Sequence, residues 1–421
     1  MADIKIVIKD FFLYTSGAIA VRGITFVLAP LILRTISPTE YGTLSLLNSF
    51  IGILASFAGL GLRQVLFIEY FHHDTTGRKR IVSDIIIIYV CAALPLFIFL
   101  YYYRNVWSPY VFNTVIHGTL LALGLLSAFL FFFSELFNQI LRYEQQSSML
   151  TLLQLIIALT NGSFTLLFLL FLQSGVTGII GAQCVGTSVA CCTAGFLFFK
   201  HNYNLHIIIK KSMQKAGYYL GYGLPFLPGI LCSWILSSGD KWLLARYATL
   251  HDVGIYGIAD MFGQLFQVFI LYPWSSAYLP YILRQFVHHK ENITPIAMHN
   301  NRIMYVSMLV VSTLIGVGYL IGTPLLQWFL PATYHDAIAY IWIILLGYVF
   351  LLGSYFASSV IQFYKKTYFL ALALAIPAIL NLILNYFFIP CWGIYGCTSA
   401  TLISYVMYFI ITLWYSTILS T

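Results

Sequence analysis

Long apolar runs, broken only briefly by charge, glycine or proline, take up almost all of this chain and limit its fold more than any other feature. Twelve can be placed, near residues 11–33, 41–66, 82–103, 114–137, 149–172, 179–199, 219–244, 254–280, 302–322, 337–360, 367–389 and 394–416. A helix of about 20 apolar residues crosses the hydrocarbon core of a bilayer, so each run is a candidate span. Lipid offers no hydrogen bonds to the backbone, and a helix satisfies its own. The chain is therefore expected to be an all-α polytopic membrane protein with about 12 transmembrane helices. Composition agrees: 60% of the 421 residues are hydrophobic and 8% charged, against about 25% charged in a soluble domain. A large soluble catalytic module is excluded. The net charge of +8 reports where the loops sit and does not indicate nucleic acid.

At the N-terminus Lys5 and Lys9 are balanced by Asp3 and Asp10, and the following run is too long for a signal-peptide core, so it reads as the first span. The seven cysteines lie in or at the ends of apolar segments, without metal-ligand spacing, and read as packing residues. Pro225, Pro228, Pro273 and Pro377 are expected to kink their helices.

Orientation follows from lysine and arginine in alternate breaks. One side carries Lys5, Lys9, Arg78, Lys79, Arg80, Arg142, Lys200, Lys210, Lys211, Lys215, Arg284, Lys290, Arg302, Lys365 and Lys366; the other carries Arg34, Arg104 and Arg246. Both termini should be cytoplasmic. A faint repeat accompanies this pattern. Arg34-Thr-Ile-Ser-Pro-Thr-Glu40-Tyr-Gly42 is echoed 212 residues later by Arg246-Tyr-Ala-Thr-Leu-His-Asp252-Val-Gly254, and Gly175-Val-Thr-Gly178 is echoed 218 residues later by Gly393-Ile-Tyr-Gly396. Each echo occupies the same place in a six-span half, which favours duplication about a pseudo-two-fold axis along the membrane normal. The expected organisation is an N-terminal six-helix lobe at 1–200, a basic amphipathic linker on the cytoplasmic leaflet at 201–218, and a C-terminal lobe at 219–421.

The turn Leu33-Arg34-Thr-Ile-Ser-Pro38-Thr-Glu40-Tyr41-Gly42, the pattern Ser238-Gly239-Asp240-Lys241-Trp242, and Asn381-Leu-Ile-Leu-Asn385 leading to Pro390-Cys-Trp-Gly393 together resemble Wzx-type polysaccharide-unit flippases. These form the polysaccharide transporter branch of the multidrug/oligosaccharidyl-lipid/polysaccharide (MOP) exporter superfamily. The resemblance implies a MATE-like, V-shaped pair of lobes that carries undecaprenyl-diphosphate-linked oligosaccharides, such as O-antigen units of lipopolysaccharide, to the outer leaflet of the bacterial inner membrane. It implies a lipid-linked oligosaccharide as substrate, membrane lipids, a polysaccharide polymerase and a chain-length regulator as partners, no nucleic acid, and no cofactor beyond coupling to H+ or Na+. No enzymatic activity is expected.

Several intramembrane charges are candidates for this work. Arg22 sits midway along the first span, where an arginine costs ~2.5 kcal/mol or more to insert; it reads either as a cavity cation for the diphosphate or as half of a structural ion pair. Asp240 and Lys241 in span seven and Asp260 in span eight share one depth. They read either as an ion-coupling switch, with Lys241 a second cavity cation, or as a pair that merely neutralises itself. Arg63 and Glu135, near the cytoplasmic ends of spans two and four, can snorkel, with a role for Arg63 at the cavity mouth as the alternative. His117 and the pairs His72-His73 and His288-His289 lack ligand spacing and read as packed or solvated. Two other functions compete. A polymerase or ligase needs a substantial external loop, and the longest external break lies around Thr323 to Ala337. A MATE-like small-molecule exporter of cationic drugs fits poorly with an arginine inside the first span.

Overall fold

The computed structural model describes residues 23–24, 26–112, 116–144, 146–200, 209–289 and 292–420. Among these residues the chain is helical, with no strand. It runs from α1 (Phe26–Thr35) through α2 (Pro38–Ala58), α3 (Leu62–Glu69), α4 (Thr75–Tyr102), α5 (Arg104–Phe112), α6 (Gly118–Tyr143), α7 (Ser147–Leu166) and α8 (Gly175–Lys200). There follow α9 (Ile209–Gly223), α10 (Leu227–Trp234), α11 (Asp240–Tyr247), α12 (Leu250–Phe266), α13 (Leu279–His288), α14 (Thr294–Phe329), α15 (Ala337–Phe363) and α16 (Thr367–Ser420). Ten helical segments are long and apolar enough to cross a membrane. The last spans 53 residues, over twice what one crossing needs, and breaks at Gly393, where φ is 55° and ψ −128°. Those ten segments thus account for the second to twelfth expected runs; most of the first lies outside the described residues.

Two compact units are formed, one from Leu46–Leu231 with the described residues before Ala29, the other from Ala29–Ser45 with Cys232–Thr421. In the first, α6 and α7 pack along α8, and α4 packs against α9. Its centre holds Tyr89 stacked on Phe132 with ring centroids 3.7 Å apart, the Tyr89 hydroxyl donating to the Phe129 carbonyl at 3.0 Å. In the second unit α15 lies along α16, with α12 against α15 and α11 against α16.

The repeat has a physical content in the backbone. At the start of α2 the Ser37 amide donates to the Glu40 carboxylate at 2.8 Å while the Glu40 amide donates to the Ser37 hydroxyl at 3.3 Å. At the start of α12 Thr249 and Asp252 do the same, at 3.1 and 3.2 Å. Both are reciprocal capping boxes, which satisfy the orphan amides of a helix start. Two residues further on in each, Gly42 and Gly254 meet: a Cβ on Gly42 would lie 2.0 Å from the Leu250 carbonyl oxygen, and one on Gly254 would lie 1.9 Å from that of Pro38. The two helix starts therefore cross at backbone contact. Gly175 and Gly393, the matched pair at the second echo, both adopt positive φ, 53° and 55°, where a side chain is strained.

The proline expectations are met unevenly. The helix tightens to a 3-10 turn at Leu224–Phe226, around Pro225, and Pro273 stands between π-helical turns at Gln267–Leu271 and Trp274–Tyr278. Inside α16 the residue with non-helical dihedrals is Gly393, and Pro377 is accommodated without one.

Candidate functional site

A buried charge cluster occupies the second unit. A π-helical turn, Ile235–Gly239, leads directly into α11, and such turns, which insert an extra residue, re-aim the side chains that follow. Asp240 and Lys241 are the first two residues after it, 1% and 6% exposed. Neighbours on one helix point about 100° apart, and the two side chains accordingly take different partners. The Lys241 ammonium meets the Asp260 carboxylate of α12 at 2.7 Å, and Gln264, one turn along, donates to that same carboxylate at 3.1 Å. Asp240 accepts hydrogen bonds from the Tyr256 hydroxyl, from Thr401 on α16 at 3.2 Å and from the Lys241 amide at 2.8 Å. Two carboxylates and one ammonium thus lie together in the interior of a helix bundle, the ammonium bonded to Asp260 and the Lys241 backbone amide to Asp240. Fully ionised, the three carry one negative charge in excess, and an uncompensated charge in a low dielectric is costly.

Close by on α16, Asn381 and Asn385 are fully buried, with Asn385 donating to Asn381 at 3.0 Å. The Asn381 amide nitrogen and the Asn385 carbonyl oxygen are left without partners.

Of the other expected site residues, Arg63 pairs with Glu135 at 3.3 Å, both side chains about a third exposed, so the two snorkelling groups of the sequence hold each other. Arg22 lies outside the described residues. His117 stands at the N-terminal boundary of α6 without a side-chain capping bond and contacts the Thr119 hydroxyl at 3.1 Å, and His73 contacts Glu69 at 3.2 Å. Among the described residues no group of three metal-ligating side chains is found.

A second carboxylate site was not singled out from the sequence. Asp84, near the start of α4, is 3% exposed. It accepts from Ser212 and from the Tyr219 hydroxyl at 3.3 Å, and pairs with the Lys215 ammonium at 3.3 Å. Residues 212, 215 and 219 lie on one face of α9, so this carboxylate ties α9 into the first unit. Tyr218 adds a bond to Glu69 at 2.7 Å.

The family described as "Polysaccharide biosynthesis protein" matches residues 7–286. No match is found among curated protein sequences. Solved structures share the fold at low identity. The lipid II flippase MurJ in an inward closed conformation is 16% identical over 97% of this chain and 87% of its own, with a TM-score of 0.78. An inward-facing multidrug resistance MATE transporter of the MOP superfamily is 14% identical over 97% and 94%, at 0.75. A Vibrio cholerae MATE transporter in its bent form is 15% identical over 99% and 95%, at 0.63.

Proposed function

Since this chain belongs to the polysaccharide biosynthesis protein family, we propose that it is an ion-coupled flippase that carries undecaprenyl-diphosphate-linked oligosaccharide units from the cytoplasmic to the outer leaflet by alternating access. Solved structures of the same fold are named as a lipid II flippase and as multidrug transporters, which supports transport as the class of activity. The observation that carries the reading is the surplus carboxylate of the Asp240–Lys241–Asp260 cluster. Uptake of one H+ or Na+ neutralises it, and release restores the excess charge. A conformational change that exposes the cluster to opposite sides in turn then draws on an ion gradient.

Lys241 serves in this reading as the fixed counter-ion of Asp260, because its ammonium is already bonded and buried. The diphosphate is left to Arg22 and, at the partly exposed pair with Glu135, to Arg63. Few cations suit a carrier, since a diphosphate held too tightly in one state would not leave in the other.

The test is transport of lipid-linked oligosaccharide by the purified chain in proteoliposomes under imposed H+ or Na+ gradients. Asp240→Asn and Asp260→Asn should each lower gradient-driven transport at least tenfold while the protein stays folded. Wild-type rates and ion dependence in both single variants and in the double variant would reduce the cluster to a structural pair.

A further inference from the structure

Within the second unit a cavity of about 410 Å³ opens among α10, the π-helical turn Ile235–Gly239 that follows it, α15, α16 and the π-helical turn that follows α12. That volume falls in the ~300–1,000 Å³ range of small-molecule sites. Its polar lining comes from the hydroxyls of Ser233 and Ser237, one helical turn apart, the amides of Gln267 and Gln362, and the phenols of Tyr355 and Tyr408. Several of these groups are positioned by neighbours. Gln267 donates to the Tyr348 hydroxyl at 3.3 Å, Gln362 donates to Ser358 at 3.4 Å, and the Tyr355 ring stands edge-on to Trp274 with centroids 5.5 Å apart. Leu351, Leu370 and Leu374 supply apolar surface. Among the described residues no acidic, basic or histidine side chain lines the cavity, and none of Asp240, Lys241 and Asp260 reaches it.

That lining selects by chemistry. A charged ligand would lose its hydration and find no counter-charge. A wholly apolar ligand would strip water from the hydroxyls and amides and give nothing back. A neutral ring that carries several hydroxyls on its edge and C–H groups on its faces satisfies both parts of the surface, since hydroxyls and amides donate and accept and phenol rings and leucines cover the faces.

We infer that this cavity seats a neutral sugar ring of the transported glycan, apart from the charged cluster of the same unit and with no role in holding the diphosphate. The inference rests on the flippase reading for the identity of the glycan. The division is physical: among the described residues the cavity is lined by hydrogen-bonding groups without charge, whereas the charged side chains of the same unit are buried against one another.

The test uses the full chain in nanodiscs with two probes, the soluble glycan released by mild acid from the host's own lipid-linked oligosaccharides, and an isoprenyl diphosphate that carries no sugar. Two variants are compared after both are shown to be monodisperse and folded: Ser237→Trp, which fills the cavity, and Gln362→Leu, which keeps its shape and removes an amide. Affinity for the released glycan should fall at least tenfold in Gln362→Leu and be lost in Ser237→Trp, with the sugar-free diphosphate bound equally by all three proteins. Equal glycan affinity in all three, or no glycan binding by the wild type, overturns the assignment. Should wild-type vesicles fail to move lipid-linked oligosaccharide while glycan binding still depends on Ser237 and Gln362, the transport reading falls and the sugar site stands.

Discussion

Asp84 and Asp260 are both buried carboxylates held by a lysine, and they differ in what surrounds that lysine. At Asp84 the lysine partner, Lys215, is 40% exposed, and Ser212 and Tyr219 complete the carboxylate's hydrogen bonds. One carboxylate faces one ammonium, and the lysine side chain is open to the surface. At Asp260 the lysine side chain is 8% exposed, and a second carboxylate, Asp240, stands next to it in the chain and accepts from its backbone amide. Among the described residues charge balance therefore closes at the first site and fails by one at the second. The difference teaches that burial of an acid inside a helical bundle is not by itself a sign of work. A balanced pair fastens two helices; an unbalanced trio carries an excess charge that a bound cation would neutralise, which is what the proposed ion coupling draws on.

The largest effect should come from removing the Lys241 ammonium. Lys241→Met leaves two carboxylates buried without a cation, and breaking a buried pair on one side costs ~3–5 kcal/mol. Thermal or denaturant unfolding of the purified protein should show that loss, and the double variant with Asp260→Asn should recover most of it. Recovery should extend to stability and not to gradient-driven transport. An unshifted unfolding midpoint in Lys241→Met would mean that the ammonium is not what holds the two acids in place.

A smaller effect is expected at the balanced site. Asp84→Asn keeps an acceptor for Ser212 and Tyr219 and frees an ammonium whose side chain is already 40% exposed, so the loss should be ~1.5–3 kcal/mol, the scale of a hydrogen bond to a charged group. Ion dependence of transport should be untouched. If Asp84→Asn altered the ion dependence as Asp240→Asn does, the distinction between the two sites would collapse.

Much of this architecture is legible in the sequence because it is written in local patterns. Apolar runs of span length mark the helices, and the echo of Arg34–Gly42 at Arg246–Gly254 marks two matching helix starts. The chemistry behind that echo was also within reach, since Ser37 with Glu40 and Thr249 with Asp252 follow the spacing of a capping box. Shared depth on adjacent antiparallel helices was enough to bring Lys241 and Asp260 together. Other contacts were not legible. Thr401 reaches Asp240 across 161 positions, and the α9 partners of Asp84 stand 128 to 135 positions away. Asp84 itself follows Arg78, Lys79 and Arg80 at the edge of an apolar run, where an acid reads as one more solvated charge. Which helix faces meet is decided by tertiary packing, and hydroxyl donors leave no periodic trace in a chain so rich in serine and tyrosine.

The smallest expected effect gives the sharpest contrast, because it repeats the first substitution at the other lysine. Lys215→Met removes a positive charge from Asp84 as Lys241→Met removes one from Asp260. The Lys215 ammonium is half in water, where an ion pair contributes ~0–1 kcal/mol once solvent screening and the ordering of a long side chain are counted. Asp84 keeps its bonds from Ser212 and Tyr219, so its carboxylate is not stranded, and the methionine retains the apolar stem that lies along α9. The unfolding midpoint should therefore move little, transport should stay near the wild-type rate, and the ratio of the two lysine effects should be large. Comparable destabilisation by both substitutions would show that solvent access to the lysine does not separate the sites, and the case for an ion-exchanging cluster would then have to rest on the charge count at Asp240 and Asp260 alone.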